Sequence, residues 1–466
     1  LDELIKIPTY KMEKNSEQII NYASLFSLFP KEKGTFNGYK PSLEKYEHDG
    51  VLSQNSALIM SNFLNKSISE QKEELDDRQK SQQYIRILFE IVKNVHGDEK
   101  LITFALLYID GMLEENRYRI ENFVSIQNSF NPGRKMDLIG ILLNFLISNN
   151  DSKNYNRNTA SKVLSMIIEA SGYEHCKEHA IDFMNWIYSF DSSRLSANSY
   201  TFSIMYLVNI NELALEFVEL NGINKLIEML DYQCLNDYQI AYNVLATLWI
   251  LSYHDFAQKY FESPSLDLIE KCLKILDFFN KEKVVRITLL LMENLTHRKQ
   301  CLEIMSDLNG LELIQKLQQR HWVDEDIKEL LEKLWGIFDD NYEEFTSIDK
   351  FRKEIHMKSL RWGPVHTERF WQENFIHFHE KDNLDLIKDL MALLHVDNER
   401  TVAVALYDLG EFAKYFPFGR SFLDNIGIKG VIYDVMQKSE SAEIKKEAIT
   451  CLQKLIVTSW QGRSKS

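Results

Sequence analysis

Asn221-Gly222-Ile223-Asn224-Lys225-Leu226-Ile227-Glu228-Met229-Leu230 opens the pattern that decides the fold. A short Asn-Gly connector leads into apolar residues at helical spacing, Leu226, Ile227 and Leu230. A polar gap follows, then a second apolar stripe of Ala241, Val244, Leu245 and Leu248. The order returns at Asn309-Gly310-Leu311, with Ile314 and Leu317 before Ile327, Leu330, Leu331 and Leu334. It returns again at Gly427-Ile428, with Val431, Ile432 and Val435 before Ala448, Cys451, Leu452 and Leu455. Each instance reads as connector, helix, turn, helix. Glycine suits the corner because it tolerates positive φ.

The spacings argue for a repeat. Gly222 and Gly310 lie 88 residues apart, two armadillo/HEAT units of roughly 44. Leu266-Asp267-Leu268-Ile269 recurs as Leu384-Asp385-Leu386-Ile387, a shift of 118, and Gly310 recurs as Gly427, a shift of 117. One helix pair cannot bury both of its faces, so neighbours must stack to complete the core. Further helical stripes run through Val163, Met166, Ile167 and Ala170, and through Ile181, Met184, Trp186, Ile187 and Tyr188. Two-residue alternation is almost absent, so no sheet is expected. The predicted fold is all-α, an armadillo/HEAT-like helical-repeat superhelix in two domains.

Composition agrees. Seven prolines and 17 glycines in 466 residues are few, which fits long helices, where both are costly. The formal net charge of −15 argues against nucleic acid as a partner. Residues 351–466 hold 17 Lys/Arg and 16 Asp/Glu, leaving 37 against 53 in residues 1–350. A long acidic body and a near-neutral terminal piece suit different docking surfaces. Cys176, Cys234, Cys272, Cys301 and Cys451 are odd in number, widely spaced and without a CxxC, so reduced buried thiols are expected. The opening from Leu1 shows no signal-peptide pattern. The uncharged run Tyr238 to His254 is interrupted by Gln239, Asn243 and Ser252 and falls short of the ~20 apolar residues a span needs. It reads as a fully buried repeat helix, and direct membrane insertion is not expected.

Several segments interrupt the stack. Residues 31–50 read as an irregular loop, Glu70 to Lys80 as an exposed charged helix face, and Asn128 to Arg134 and Ser148 to Asn158 as polar loops. Asp339 to Lys353 ends the first set of repeats, and Arg361-Trp362-Gly363-Pro364 is unlikely inside a helix. The expected domains are 1–350 and 351–466, with a hinge around 340–364.

Motifs for chemistry are weak. His175-Cys176-Lys177-Glu178-His179 formally matches HxxEH, but no third ligand announces itself, and a polar turn between repeat helices is expected. His366, His377, His379 and His395 are expected on a solvated surface. There is no GxxxxGK[ST], GxSxG or strand-borne GxGxxG. No catalytic residue, cofactor or metal site is predicted, and the chain is read as a scaffold, not an enzyme.

A family resemblance rests chiefly on the C-terminal part. Leu360-Arg361-Trp362-Gly363-Pro364-Val365-His366, then Arg369-Phe370-Trp371-Gln372-Glu373-Asn374, resembles the linker of the H subunit of vacuolar-type proton-translocating ATPases, which reads L-x-W-S-P-V-H followed by FW-x-EN. Gly363 stands where the family has serine. Ala403 to Glu411 is similar to its AVA-x-x-D-x-GE stretch. Tyr415-Phe416-Pro417-Phe418-Gly419-Arg420 is similar to its Y-P-x-G-K corner, and Ala448 through Leu455, with Trp460, to its QKL ending. Weaker matches lie at Tyr238-Gln239 with Leu248 to Ser252, and at Lys283 to Arg286 with Asn294-Leu295.

The resemblance implies a non-catalytic regulatory and stator subunit of the V1 sector. Such a subunit couples ATP hydrolysis to proton transport and inhibits hydrolysis by detached V1. The implied partners are other V-ATPase subunits: the peripheral stalk, the membrane-sector stator subunit, and the catalytic head or central rotor when V1 is detached. The implied location is the cytoplasmic face of vacuolar or other acidic-organelle membranes, or the cytosol when V1 is detached. Trp362, Pro364, Phe370 and Trp371 are the hinge candidates, and Tyr415, Phe416, Pro417 and Arg420 an interface corner. The competing reading for the first set is plain domain packing, and for the second a buried corner. The alternative to the whole assignment is a generic armadillo/HEAT adaptor for peptide or protein partners.

Overall fold

The computed structural model describes residues 41–48, 50–129, 136–148, 154–189, 195–232, 237–261 and 267–456. Cys234, Leu266, Trp460 and parts of the expected loops at 31–50, 128–134 and 148–158 lie outside these. Every regular element among the described residues is helical. The chain divides into two compact units, Leu1–Leu266 and Asp267–Ser466.

In the first unit, α1 (Arg78–Asn94), α2 (Glu99–Glu115), α3 (Leu138–Ser148), α4 (Asn154–Ser171), α5 (Ala197–Leu207) and α6 (Tyr238–Leu251) carry much of the core. Helices α4, α5 and α6 pack in series, joined by buried polar rungs one repeat apart. Ser161 Oγ meets Ser203 Oγ at 2.9 Å, and Asn243 Nδ2 donates to Thr201 Oγ1 at 3.2 Å, both across 42 residues. Buried amides and hydroxyls must find partners, and here the next repeat supplies them. Lys162 on α4 is likewise buried, 2.7 Å from Asp110 and 3.0 Å from Glu114 on α2.

Three expectations need correction here, the first being the polar loop over Ser148 to Asn158, whose residues 154–158 already belong to α4. The expected irregular loop over 31–50 contains a helix, Leu43–His48, anchored by buried Leu43 and by the Tyr46 hydroxyl on Asp98. Helix α6 is buried from Gln239 to Leu248, but Tyr238 is 45% exposed and Trp249 and Ile250 are half-buried, so the helix is not buried along its whole length. Among the described residues no helix is long and apolar enough to cross a membrane.

The second unit contains α7 (Leu268–Phe278), α8 (Glu282–Thr296), α9 (Lys299–Asp307), α10 (Gly310–Gln318) and α11 (Glu325–Asp340). A one-turn helix, Tyr342–Phe345, follows, then α12 (Ile348–Met357), a 3₁₀ turn Pro364–His366, α13 (Glu368–Asn374) and α14 (Lys381–Ala392). The chain continues through α15 (Glu399–Tyr415), α16 (Gly419–Asn425), α17 (Ile428–Lys438) and α18 (Ala442–Ile456).

The repeat corners work differently from the expectation. Positive φ falls on Asn221 (64°) and Asn309 (59°), not on the glycines after them. Asparagine tolerates that region better than most residues. Gly222 and Gly310 are needed for space: a Cβ would stand 2.4 Å from the Phe217 ring at the first and 2.7 Å from the Met305 carbonyl oxygen at the second. Only at the third corner does glycine itself take the left-handed conformation, Gly427 at 75°.

A separate apolar cluster begins at Phe351 and runs to Leu455. At its centre Trp371 stacks on Phe378 at 5.0 Å, with Phe351 and Phe412 edge-on. Fully burying one large apolar side chain contributes about 1.5–3 kcal/mol, so this centre is the main adhesive of the C-terminal helices.

Candidate functional site

The segment after α12 has no helical ladder to hold it, so its backbone and side chains must be held from outside. Helix α12 starts on Ser347, whose hydroxyl accepts from Lys350 N, and stops at Lys358 in the left-handed region. Leu360 N then donates to Thr401 Oγ1 on α15 at 3.2 Å in a buried setting. Trp362 is half-buried, edge-on to Tyr407 at 5.3 Å, and its Nε1–H donates to Glu443 on α18 at 2.7 Å. Gly363 is extended, and Pro364 opens the 3₁₀ turn, where proline's missing N–H costs nothing.

His366 closes that turn and is the centre of the site. Its imidazole is buried, against the expectation of a solvated surface; His377, His379 and His395 are exposed. Nδ1 faces Asp408 Oδ2 at 2.6 Å and Nε2 faces Glu354 Oε2 at 3.0 Å. Asp408 also accepts from Trp371 Nε1 at 2.9 Å. A ring with a carboxylate on each nitrogen donates from both only as the imidazolium. Burial works against that charge, but Asp408, with Glu354 behind it, outweighs burial and raises the group to about 9. Burial likewise raises Asp408, opposed by His366 and Trp371. One buried cation thus ties α12, the 3₁₀ turn and α15 together, and Trp371 of α13 shares its counterion.

Phe370 and Trp371, two of the hinge candidates, are fully buried in this core, with Phe370 5.3 Å from Phe351. Trp362 and Pro364 lie half-buried at its edge. The corner after α15 splits in two. Tyr415 is half-buried: its hydroxyl donates to Glu368 and accepts from Gln372 Nε2 at 2.8 Å. Phe416 is buried, stacked on Phe412 at 5.0 Å and against His379. Pro417 is exposed, Arg420 half-buried, and Phe418 is 67% exposed at the tip. Gly419 lets the corner close, since a Cβ there would stand 2.4 Å from the Phe412 carbonyl oxygen.

Sequence reading put His366 on a solvated surface and gave no role of their own to Asp408, Glu354 and Phe418. A carboxylate inside the apolar run of α15 was the available signal for Asp408, and its distance of 42 residues from His366 matches the repeat rungs of the first unit. The other tempting motif does not assemble. His175 is exposed at the end of a 3₁₀ turn, while His179 lies on the next helix 3.3 Å from Asp137. Among the described residues no group of three or more His, Cys, Asp or Glu could hold a metal. Cys176, Cys272, Cys301 and Cys451 are buried, and burial raises the thiols of Cys176, Cys272 and Cys451 to about 11, 12 and 12.

Similarity to known proteins extends along both parts of the chain. A family model for the V-ATPase H subunit matches residues 29–337, and a second with the same description matches 344–460. The chain is 25% identical over 434 residues to a probable V-type proton ATPase H subunit of Oryza sativa subsp. japonica, covering 89% of this chain and 94% of that one. It is 26% identical over 403 residues to the V-type proton ATPase H subunit of Drosophila melanogaster, covering 82% and 81%. Among solved structures, a designed armadillo repeat protein matches 67% of this chain and 99% of its own at 14% identity, with a TM-score of 0.28; the fold assignment stands on the helix stack itself. With both of its parts matched in succession, the chain belongs to the V-ATPase H-subunit family.

Proposed function

We propose that this chain is a non-catalytic regulatory and stator subunit of the V1 sector, coupling ATP hydrolysis to proton transport and inhibiting hydrolysis by detached V1. The observation that carries the reading is family membership along both parts of the chain. Its partners in this role are other V-ATPase subunits: the peripheral stalk, the membrane-sector stator subunit, and the catalytic head or central rotor when V1 is free. It would work as a peripheral subunit on the cytoplasmic face of vacuolar or other acidic-organelle membranes, and in the cytosol with detached V1.

Physical chemistry supports the role. A stator part has to carry torque, and stacked helices sharing a continuous core resist bending. Braking asks for a second body that can change its angle. The C-terminal helices have an apolar cluster of their own from Phe351 onward, which favours domains at 1–350 and 351–466 with a hinge in 340–364. At the corner, Phe418 and Pro417 are exposed beside half-buried Arg420, and aromatic and Arg side chains are favoured at interface hot spots. Trp362, Pro364, Phe370 and Trp371 would set the domain angle.

The test is co-purification and ATPase assay. The full chain should co-purify with V1 subunits and slow hydrolysis by free V1. Deleting 351–466 should keep V1 binding and abolish inhibition, with helical content checked by circular dichroism. Full inhibition by the truncated chain would refute the two-body role, and failure to co-purify with any ATPase subunit would refute the assignment.

A further inference from the structure

A stack of repeats needs a finished end, because its last helix has one face that no further repeat covers. Helix α15 shows how that face is treated inside the stack. Its Gly410 lies against α18, where a Cβ would stand 3.2 Å from Cys451 Cα. Ala403, Leu406 and Ala413 lie on the same side of the helix by spacing, and all four residues are buried. The repeat offset from α15 to α18 is 43 residues, the separation of the Glu411–Lys454 pair. The corresponding face of α18 is therefore Lys446, Ile449, Gln453 and Ile456. All four are exposed, Ile449 by 47% and Ile456 by 60%. Among the described residues no helix follows α18 to cover them. An end face is expected to be polar, yet half of this one is isoleucine.

The sequence after Ile456 reads Val457-Thr458-Ser459-Trp460-Gln461-Gly462-Arg463-Ser464-Lys465-Ser466. Helical continuation of α18 would put Trp460 on the bare face, one turn beyond Ile456, and lengthen an apolar stripe in water. A reversal does the opposite. Four extended residues reach about 13 Å, more than the about 10 Å of helix axis between Ile456 and Ile449. A chain that turns back after Ile456 therefore sets the indole of Trp460 on the two isoleucines. Arg463 and Lys465 then fall about 10 and 17 Å further toward the start of α18. Two carboxylates stand there. Glu443 is exposed and accepts from Trp362, and the Glu440 side chain is 99% exposed, 3.9 Å from Lys445. Apolar pattern and charge order agree on one direction for the segment.

We infer that residues 457–466 fold back antiparallel along α18 and cap the last repeat. Trp460 covers Ile449 and Ile456, and Arg463 and Lys465 meet Glu443 and Glu440. The cap keeps an apolar end face from adding a second copy of the chain head to tail, a contact that does not close on itself. It is independent of the role in the ATPase.

The experiment uses the full chain without V1. The photoreactive amino acid p-benzoylphenylalanine in place of Trp460 keeps a large aromatic group there, and peptide mapping after illumination reads what it touches. Cross-links within one chain to residues 446–450 are expected. Cross-links confined to 453–459, as a continued helix would give, would overturn the inference. So would cross-links between two chains, which would make a second copy the occupant, or none, which would leave the face to another partner. Hydrogen exchange of amides 450–456 gives a second readout. Trp460→Ala should lower their protection about tenfold, the lower end for uncovering one large apolar side chain, and Trp460→Phe should keep most of it. Ile449→Ala should cause a similar loss, and the double variant no more than either alone, as for residues in contact. Reversing charge at both Arg463 and Lys465 should lower protection about threefold at low salt, the size of an exposed ion pair. Equal protection in the native chain and Trp460→Ala, or losses that simply add in the double variant, would refute the cap.

Discussion

Replacing His366 with glutamine should remove a pH dependence that the C-terminal body otherwise shows. The ring is fully buried between Asp408 and Glu354 and is raised from an ordinary 6.5 to about 9. Because the folded state binds the proton more tightly than the unfolded one, the linked stability is complete below about pH 6.5. It declines through the interval up to about 9 and is absent above it. A rise of that size corresponds to about 3 kcal/mol, of the same order as the about 3–5 kcal/mol lost when one partner of a buried ion pair is removed. The assay is hydrogen exchange of amides in α15 and α18 between pH 6 and 10, corrected for intrinsic exchange. Reading these helices separately avoids treating a long repeat chain as two-state. The native protein should lose about 3 kcal/mol of protection across the interval, and His366→Gln should be destabilised at pH 6 and nearly flat thereafter. The difference between the two proteins cancels the exposed histidines. Equal slopes in both, or a neutral His366 ring at pH 7 by ¹⁵N NMR, would refute the imidazolium clamp.

Other substitutions separate space from conformation and packing from binding. Gly310→Ala should cost about 1–3 kcal/mol by overpacking, because its Cβ would press on the Met305 backbone oxygen; a melting temperature equal to the native one would contradict this. Gly363→Ser should stay within about 0.5 kcal/mol, since the backbone there is extended and the nearest atom is 3.4 Å away; a clear drop in melting temperature would count against it. Trp362→Phe should cost about 1 kcal/mol through the lost Glu443 hydrogen bond, read as faster exchange at the start of α18. Phe418→Ala should leave the melting temperature unchanged because the ring is mostly exposed, yet weaken inhibition of free V1; undiminished inhibition would remove the corner from the proposed interface.

The C-terminal contacts show how much of the site could be read ahead of the structure. The linker signature from Leu360 to His366 is contiguous, so its irregular backbone was legible from Gly363 and Pro364. The partners of that segment lie elsewhere in the chain: Thr401 is 41 residues from Leu360, Asp408 is 42 from His366, and Tyr415 is 43 from Gln372. These separations match the repeat, so the period itself could have proposed the pairs. What the period could not supply was depth. His366 and His395 are alike as residues, and one is buried while the other is exposed, because only the first lies beneath two neighbouring helices.

Helical class, repeat length and the places where helices turn were determined by the sequence alone. They depend on apolar spacing, on proline and glycine scarcity and on corner residues, all of which act within a few positions. Burial was decided by tertiary structure. Which histidine carries a charge, which corner residue faces out and which body owns the linker depend on neighbours about one repeat away. Their packing sets the local dielectric, the available counterions and the room for a side chain.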